Sequence, residues 1–227
     1  MRDPITLNQQ NSVYGADYTT HDARKVLRNT YLLLSMTIAV SAAACWAGVA
    51  FAFPSWIGLP LMLVAFGLIF AIQKKATSVT GLYLTFAFTA VMGASMSPLI
   101  THYLKMPSGG ALIAQALGLT SVVFVTLSGI ALTSKRDFSF MQNFLVVGLL
   151  IVVFGGLLNL FLQTPVLHLA LLCMSVLVMS GFILFDTQRI VRGGETNYIL
   201  ATVSLYLNIH NLFVSLLQLF GILGSDD

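Results

Sequence analysis

Asp186 lies inside a long apolar run, in the segment Phe185-Asp186-Thr187-Gln188-Arg189. An ionisable side chain within a membrane helix is costly unless it is paired or hydrated, and such residues mark ion pathways and proton relays. Asp186 is therefore the first candidate for an ion path or a pH-sensing site. The alternative is an ion pair with Arg189, which follows three residues later and would lie on the same face of a helix.

The last apolar run carries a group of polar side chains: Tyr206, Asn208, His210 and Asn211. Asn208 would reach Asp186 if the two final runs formed a tight hairpin around Gly193 and Gly194. Equally, a membrane asparagine often does no more than hydrogen-bond to a neighbouring helix. The imidazole of His210 could titrate near neutral pH, although packing between helices is the favoured interpretation.

The sequence does not predict an enzyme. Intramembrane aspartyl proteolysis needs two carboxylates that share a proton, and only Asp186 lies within an apolar run. The sequence contains no His-Glu-x-x-His motif for zinc, no Gly-x-Ser-Gly nucleophile motif and no lysine in the last run for a retinal Schiff base. We therefore predict no catalytic residues, no metal and no cofactor.

The elements that must position these residues are seven apolar runs. Charged residues make up 8% of the 227-residue chain, and apolar residues make up 57%, whereas soluble domains carry about 25% charged residues. Runs of this length in lipid must be helices, because only a helix satisfies its own backbone groups there. The sequence thus predicts an all-α membrane protein with helices at residues 30–53, 57–73, 81–104, 111–133, 142–163, 167–188 and 197–222.

The distribution of basic residues predicts the orientation of this bundle. Ten of the eleven Lys and Arg residues fall in the N-terminal segment or in the second, fourth and sixth connections, and only Lys105 falls on the opposite side. By the positive-inside rule, the N-terminus is cytoplasmic and, after seven crossings, the C-terminus is periplasmic. Because the basic residues are spread over short loops, we expect the lipid bilayer as their partner and no nucleic acid.

The chain divides into a polar N-terminal segment and a membrane domain. Residues 1–29 are predicted to be a flexible cytoplasmic tail, and residues 30–224 the seven-helix transmembrane domain. The tail's basic residues could anchor it to anionic headgroups, or the tail could dock to a cytoplasmic partner. Within the domain, Ala44 with Gly48 and Gly93 with Ser97 have the spacing that lets helices approach closely.

Several segments resemble one membrane-protein family. They are Lys25 to Tyr31, Phe185 to Arg189, Gly193 to Ile199, Ala201 to Leu207 and Asn211 to Leu217. On these residues the chain resembles the Bax inhibitor-1/YccA family, in particular its bacterial YccA-like branch, over nearly its whole length.

The resemblance implies a multi-pass protein of the bacterial inner membrane with one of two activities. Members of the YccA-like branch bind the AAA protease FtsH and restrain it, with the cytoplasmic tail implicated. Other members behave as pH-sensitive calcium leaks, in which carboxylates on the sixth and seventh helices pair and a basic residue on the second helix forms a latch.

This sequence matches the first of those carboxylates with Asp186 but has Asn208 at the position of the second. An Asp–Asn pair has a single titrating group and offers less negative charge to calcium, which prefers several oxygen ligands. Lys74 or Lys75 would be the latch. We therefore expect a modulator of an FtsH-type protease, with a calcium or proton leak through a constriction at Asp186 as the alternative.

Overall fold

The computed structural model of the protein describes residues 4–224, and it describes side chains for residues 22–224. The described chain is helical apart from short connections, and a three-residue 3-10 turn, Ser55–Ile57, precedes the second helix. The helices are α1 (Pro4–Ala50), α2 (Gly58–Lys75), α3 (Val79–Leu104), α4 (Gly109–Thr133), α5 (Met141–Leu162), α6 (Pro165–Val191) and α7 (Tyr198–Leu223).

The predicted all-α bundle is confirmed. Within the described residues, seven helices are long and apolar enough to cross a membrane. From α2 to α7 their ends lie within three residues of the predicted ends. The agreement is close because loss of hydrophobicity and the need to satisfy backbone hydrogen bonds act at the same positions.

The first helix begins earlier than predicted. Residues 22–29 were expected to belong to the flexible tail, but they form part of α1. Ala23 is buried, and Val26 and Leu27 pack against the core. Their spacing of three and four residues makes an apolar helix face. The basic residues Arg24 and Lys25 interrupt this pattern in the sequence, so it was not recognised as part of the helix. The backbone of α1 continues back to Pro4, whereas the side chains of residues 1–21 lie outside the described ones, and the flexibility of this part of the tail stays a prediction.

The last helix is the centre of the bundle. Helix α7 is the most buried of the seven and packs against α1, α4 and α6. Helix α2 packs mainly on α3, and α5 mainly on α6, so both lie at the periphery. Their exposed side chains are large and apolar, among them Phe66, Phe70, Phe144 and Phe154. Such surfaces suit contact with lipid tails.

Helices α1 and α3 approach closely through the small residues singled out in the sequence. A side chain added at Gly93 would collide with the main chain of Ser41, and one added at Gly48 would collide with Ser97. Small residues at these points let the helix backbones come together, which is how membrane helices gain packing energy without a hydrophobic driving force.

The positive charges gather at one end of the bundle, which we call the basic end. Because successive helices are antiparallel, the α2–α3, α4–α5 and α6–α7 connections all lie there. Among residues 22–224, Lys105 alone of the Lys and Arg residues lies at the opposite end. The members of the basic end are Arg24, Lys25, Arg28, Lys74, Lys75, Lys135, Arg136, Arg189 and Arg192.

Candidate functional site

Asp186 is held near the basic end by two neighbours on α7. Its side chain is buried, and its Oδ2 atom accepts hydrogen bonds from Ser204 Oγ at 2.6 Å and from Asn208 Nδ2 at 2.7 Å. The reach from Asp186 to Asn208 that the hairpin geometry predicted is thus present. The functional role of this contact stays a prediction.

The direction of helical side chains explains how these residues meet. Asp186 lies five residues before the end of α6, whereas Asn208 lies ten residues after the start of α7. Side chains tilt towards the N-terminus of their own helix, so Asp186 leans away from the basic end and Asn208 leans towards it. Ser204 is one turn before Asn208 and shares its face, so that both can donate to the same oxygen.

The turn between α6 and α7 sets the separation of these two helices. Gly193 has φ of 73°, a left-handed conformation that favours glycine. The side chain of Asn197 then caps α7 by accepting hydrogen bonds from the backbone N–H groups of Ile199 and Leu200. A glycine turn followed by an asparagine cap starts α7 immediately, which keeps the hairpin tight.

Arg189 pairs with a different carboxylate from the one considered in the sequence. Its Nη2 atom lies 2.8 Å from Oε2 of Glu195, in the connection between α6 and α7. Among the described side chains, Asp186 and Arg189 form no ion pair, so the expected alternative of an intrahelical pair is wrong. The physical reason is that Arg189 is half-exposed at the helix end, where it reaches the loop, while Asp186 points into the bundle.

A small crevice lies between the Asp186–Ser204 hydrogen bond and the Arg189–Glu195 ion pair. It has a volume of about 20 Å³ and is lined by Asp186, Arg189, Glu195 and Ser204, together with apolar neighbours. A polar space of this size holds about one water molecule. Oδ1 of Asp186 accepts no hydrogen bond from residues 22–224 and is the carboxyl atom left to meet water, a cation or a proton. Glu195 and Ser204 were missed in the sequence, although Ser204 could have been found from its one-turn spacing to Asn208.

The residues predicted to form a latch make no ion pair with this site in the described part of the chain. Lys74 and Lys75 occupy the last turn of α2, which packs mainly on α3. Neither ammonium group forms an ion pair with Asp186 in the described part of the chain. No ion pair in the described residues supports the latch, which stays a prediction.

Buried Gln188 ties α6 to the α4–α5 connection. Its Oε1 atom accepts a hydrogen bond from the backbone N–H of Phe138 at 2.7 Å, and its Nε2 atom donates to the carbonyl of Arg136 at 2.6 Å. Arg192 donates to the same carbonyl at 2.7 Å. On the other side, Asn197 Nδ2 donates to the carbonyl of Ala76 at 3.0 Å. All three connections at the basic end are therefore linked through the α6–α7 hairpin.

Asp137, in the same α4–α5 connection, is an exposed carboxylate. The hydroxyl and the backbone N–H of Ser139 donate to its Oδ1 atom, and these bonds hold the pKa of Asp137 below its ordinary value. Arg192, 3.4 Å away, contributes less to this lowering. The group is ionised at neutral pH and fixes the shape of the loop.

The remaining polar residues of α7 divide between other faces. Asn211 donates to the carbonyl of Leu207 within its own helix at 2.8 Å. The Tyr206 hydroxyl and Ser41 Oγ share a hydrogen bond of 2.7 Å towards α1, and His210 lies beside the ring of Tyr206. Only Asn208 of the predicted cluster therefore belongs to the Asp186 site.

Sequence comparison places this architecture in a family. The model of a family described as inhibitor of apoptosis-promoting Bax1 matches residues 23–225, which include the whole of the predicted membrane domain. The chain belongs to the Bax inhibitor-1 family. A relative in Vibrio cholerae, described as an uncharacterized membrane protein, is 52% identical over 92% of this chain and 94% of its own.

A relative in Escherichia coli carries a functional name. The Escherichia coli K12 protein named modulator of FtsH protease YccA is 46% identical over 89% of this chain and 92% of its own. An Escherichia coli O6:H1 relative of the same identity is named inner membrane protein YccA. With its seven apolar helices, this chain is a multi-pass protein of the bacterial inner membrane. The names of these relatives describe membrane proteins and a modulator, not enzymes.

Proposed function

We propose that this protein binds an FtsH-type membrane protease and restrains its degradation of other membrane proteins. The observation that carries the proposal is the 46% identity, over almost the full length of both chains, to a relative named as a modulator of that protease. The protein would act by occupying the protease rather than by catalysis. In the proposed orientation, the N-terminus and the basic end face the cytoplasm.

The packing supports this mode of action because it makes the chain hard to extract. An AAA protease must pull a substrate out of the membrane before it can cleave it. Here the most buried helix is the last one, α7, and the α6–α7 hairpin is hydrogen-bonded to both neighbouring connections. Pulling from the N-terminus would have to separate α1 from both α3 and α7. A bundle held in this way would engage the protease for long times.

The test is deletion of residues 2–21 and measurement of the half-lives of FtsH substrates in cells at matched expression. We expect the full chain to lengthen these half-lives and the deletion to abolish the effect. The matched control is the full-length chain with residues 2–21 in scrambled order, because it keeps the length and composition of the tail. Unchanged half-lives with the full chain would refute the modulator function. An effect retained by both altered chains would refute the role of the tail.

We propose an ion leak as the second candidate, because Asp186 lines a crevice at the basic end and its Oδ1 atom accepts no hydrogen bond from residues 22–224. Arg189 and Glu195 line the same crevice as Asp186 and are nearer the exposed connection, so we expect separation of this ion pair to admit solvent to Asp186. Liposomes carrying the protein should pass calcium or protons, and Asp186→Asn should change the flux, while Asn211→Leu should not. Equal flux in protein-free liposomes, the Asp186→Asn variant and the unaltered protein would refute the leak.

A further inference from the structure

A second cavity, unrelated to Asp186, opens sideways into the membrane. It has a volume of about 470 Å³ and lies between α1, α3, α4 and α7. Pockets of this size commonly hold a small organic molecule. Its lining is mainly apolar and contains four aromatic side chains, Trp46, Phe124, Tyr206 and Phe213. The cavity is therefore built like a ligand site that is entered from the lipid.

The polar groups of the cavity lie at the middle of the membrane. His210 is the thirteenth residue of the 26-residue helix α7, about 18 Å from either end of that helix. Thr120 lies at the middle of α4, and Ser41 lies about 14 Å from the end of α1. This depth is where polar side chains are most costly, because the hydrocarbon core is about 30 Å thick.

His210 lacks a hydrogen-bond partner at the inner wall of this cavity, on α7, and the indole N–H of the largely exposed Trp46 also lacks one among residues 22–224. Ser41 and Tyr206 bond to each other, and Thr120 and Ser121 donate to carbonyl groups one turn back in α4. Neither ring nitrogen of His210 has a hydrogen-bond partner among residues 22–224. A neutral imidazole carries one donor and one acceptor, and leaving them unsatisfied in an apolar cavity is unfavourable.

These features restrict what can occupy the cavity. A phospholipid acyl chain would fill the apolar space but leave His210 without a partner, and the phospholipid headgroup stays at the interface, half a membrane away. Water would satisfy His210 but not the apolar lining, since ordered water needs several polar partners. A flat, neutral ring with carbonyl oxygens and an apolar tail satisfies both requirements.

We propose that this cavity binds the head ring of a membrane-dissolved isoprenoid quinone. The ring packs among the aromatic side chains, and one carbonyl oxygen accepts a hydrogen bond from His210. The tail leaves through the opening between α1 and α4 into the midplane of the bilayer. The site takes its ligand from the lipid phase and stands independently of the proposed protease contact.

Tryptophan fluorescence tests this binding directly. Trp46 lines the cavity and is largely exposed to the lipid, and Trp56 is the other tryptophan, so a Trp56→Phe background reports on Trp46 alone. The protein is reconstituted into phosphatidylcholine vesicles and titrated with a ubiquinone that has two isoprenoid units, which quenches tryptophan. We expect saturable quenching, and about three- to tenfold weaker binding in His210→Leu, the loss of one hydrogen bond.

Two further variants keep the test decisive. Ala42→Phe fills the cavity at an exposed position, so it should abolish saturable quenching without disturbing the core. His168→Leu, in the first turn of α6 and outside the cavity, is the matched control and should bind as the unaltered protein does. Quenching that rises linearly and equally in all variants would mean that the quinone only partitions into the bilayer. Saturable quenching that Ala42→Phe retains in full would place the quinone outside this cavity. Either result overturns the proposal.

Discussion

Replacing Asn208 with leucine should destabilise the bundle through a single lost interaction. The substitution keeps the size and helical preference of the side chain but removes the hydrogen bond of 2.7 Å from Nδ2 to Asp186 Oδ2. Asp186 would keep Ser204 as its donor. Because the pair joins α6 to α7 at a buried position, the loss should appear in the free energy of unfolding of the whole domain.

The magnitude follows from the type of acceptor. Hydrogen bonds between membrane helices contribute about 0.6 kcal/mol on average and about 1.7 kcal/mol at most in double-mutant cycles. Bonds to charged groups contribute about 1.5–3 kcal/mol in soluble proteins. A buried carboxyl with two donors on one oxygen belongs near the top of the membrane range, so we expect a coupling energy of about 1.5 kcal/mol between Asp186 and Asn208.

The assay is a double-mutant cycle on reversible unfolding in mixed micelles, with Asp186→Leu, Asn208→Leu and the double variant. Asn211→Leu is the matched control, because Asn211 bonds only to Leu207 in its own helix. Its coupling to Asp186 should be close to zero. A coupling of Asp186 to Asn208 below about 0.5 kcal/mol, within the usual error of additivity, would refute the inference that this contact holds the hairpin together.

Three further predictions concern the packing and the basic end. Gly93→Ala should cost more than about 2 kcal/mol of unfolding free energy because its methyl group meets the backbone of α1, whereas Gly118→Ala, which faces open space, should be neutral or stabilising. Gln188→Leu should speed amide hydrogen exchange in the α4–α5 loop, since that loop loses two hydrogen bonds. Unaltered exchange would contradict the inference that Gln188 holds this loop to α6. Because the pKa of folded Asp137 lies below its ordinary value, its bonds to Ser139 stabilise the loop above that ordinary value and are lost as the pH falls through the lowered pKa. Loop amide shifts should report this transition, and Asp137→Asn should abolish it.

The sequence predicted the helices well because one physical constraint dominates each position. In lipid, a long apolar segment can only be a helix, so hydrophobicity alone located six of the seven helices to within three residues at each end. The predicted start of α1 was wrong because that constraint weakens outside the bilayer. At residues 22–29 the helix depends on packing of Ala23, Val26 and Leu27 against the core, which composition does not reveal.

The candidate site was predicted less completely. Asp186 was recognisable because a carboxylate in an apolar run has no ordinary explanation. Ser204 and Glu195 carried no such signal, since serine is common in membrane helices and Glu195 lies in a loop. Which of two neighbouring carboxylates captures Arg189 depends on where each side chain points, and only the folded hairpin decides this.

The sequence by itself determined the class of this protein, its seven membrane helices, the gathering of positive charge at one end and the residue at which buried chemistry is expected. Each of these follows from local composition and the solvent around the chain. The tertiary structure alone decided that α7 is the centre of the bundle and that Ser204 joins Asn208 on Asp186. It also decided that His210 opens into a cavity between α1 and α4. These features depend on contacts between helices, which are made by side-chain shape and direction across distant parts of the chain.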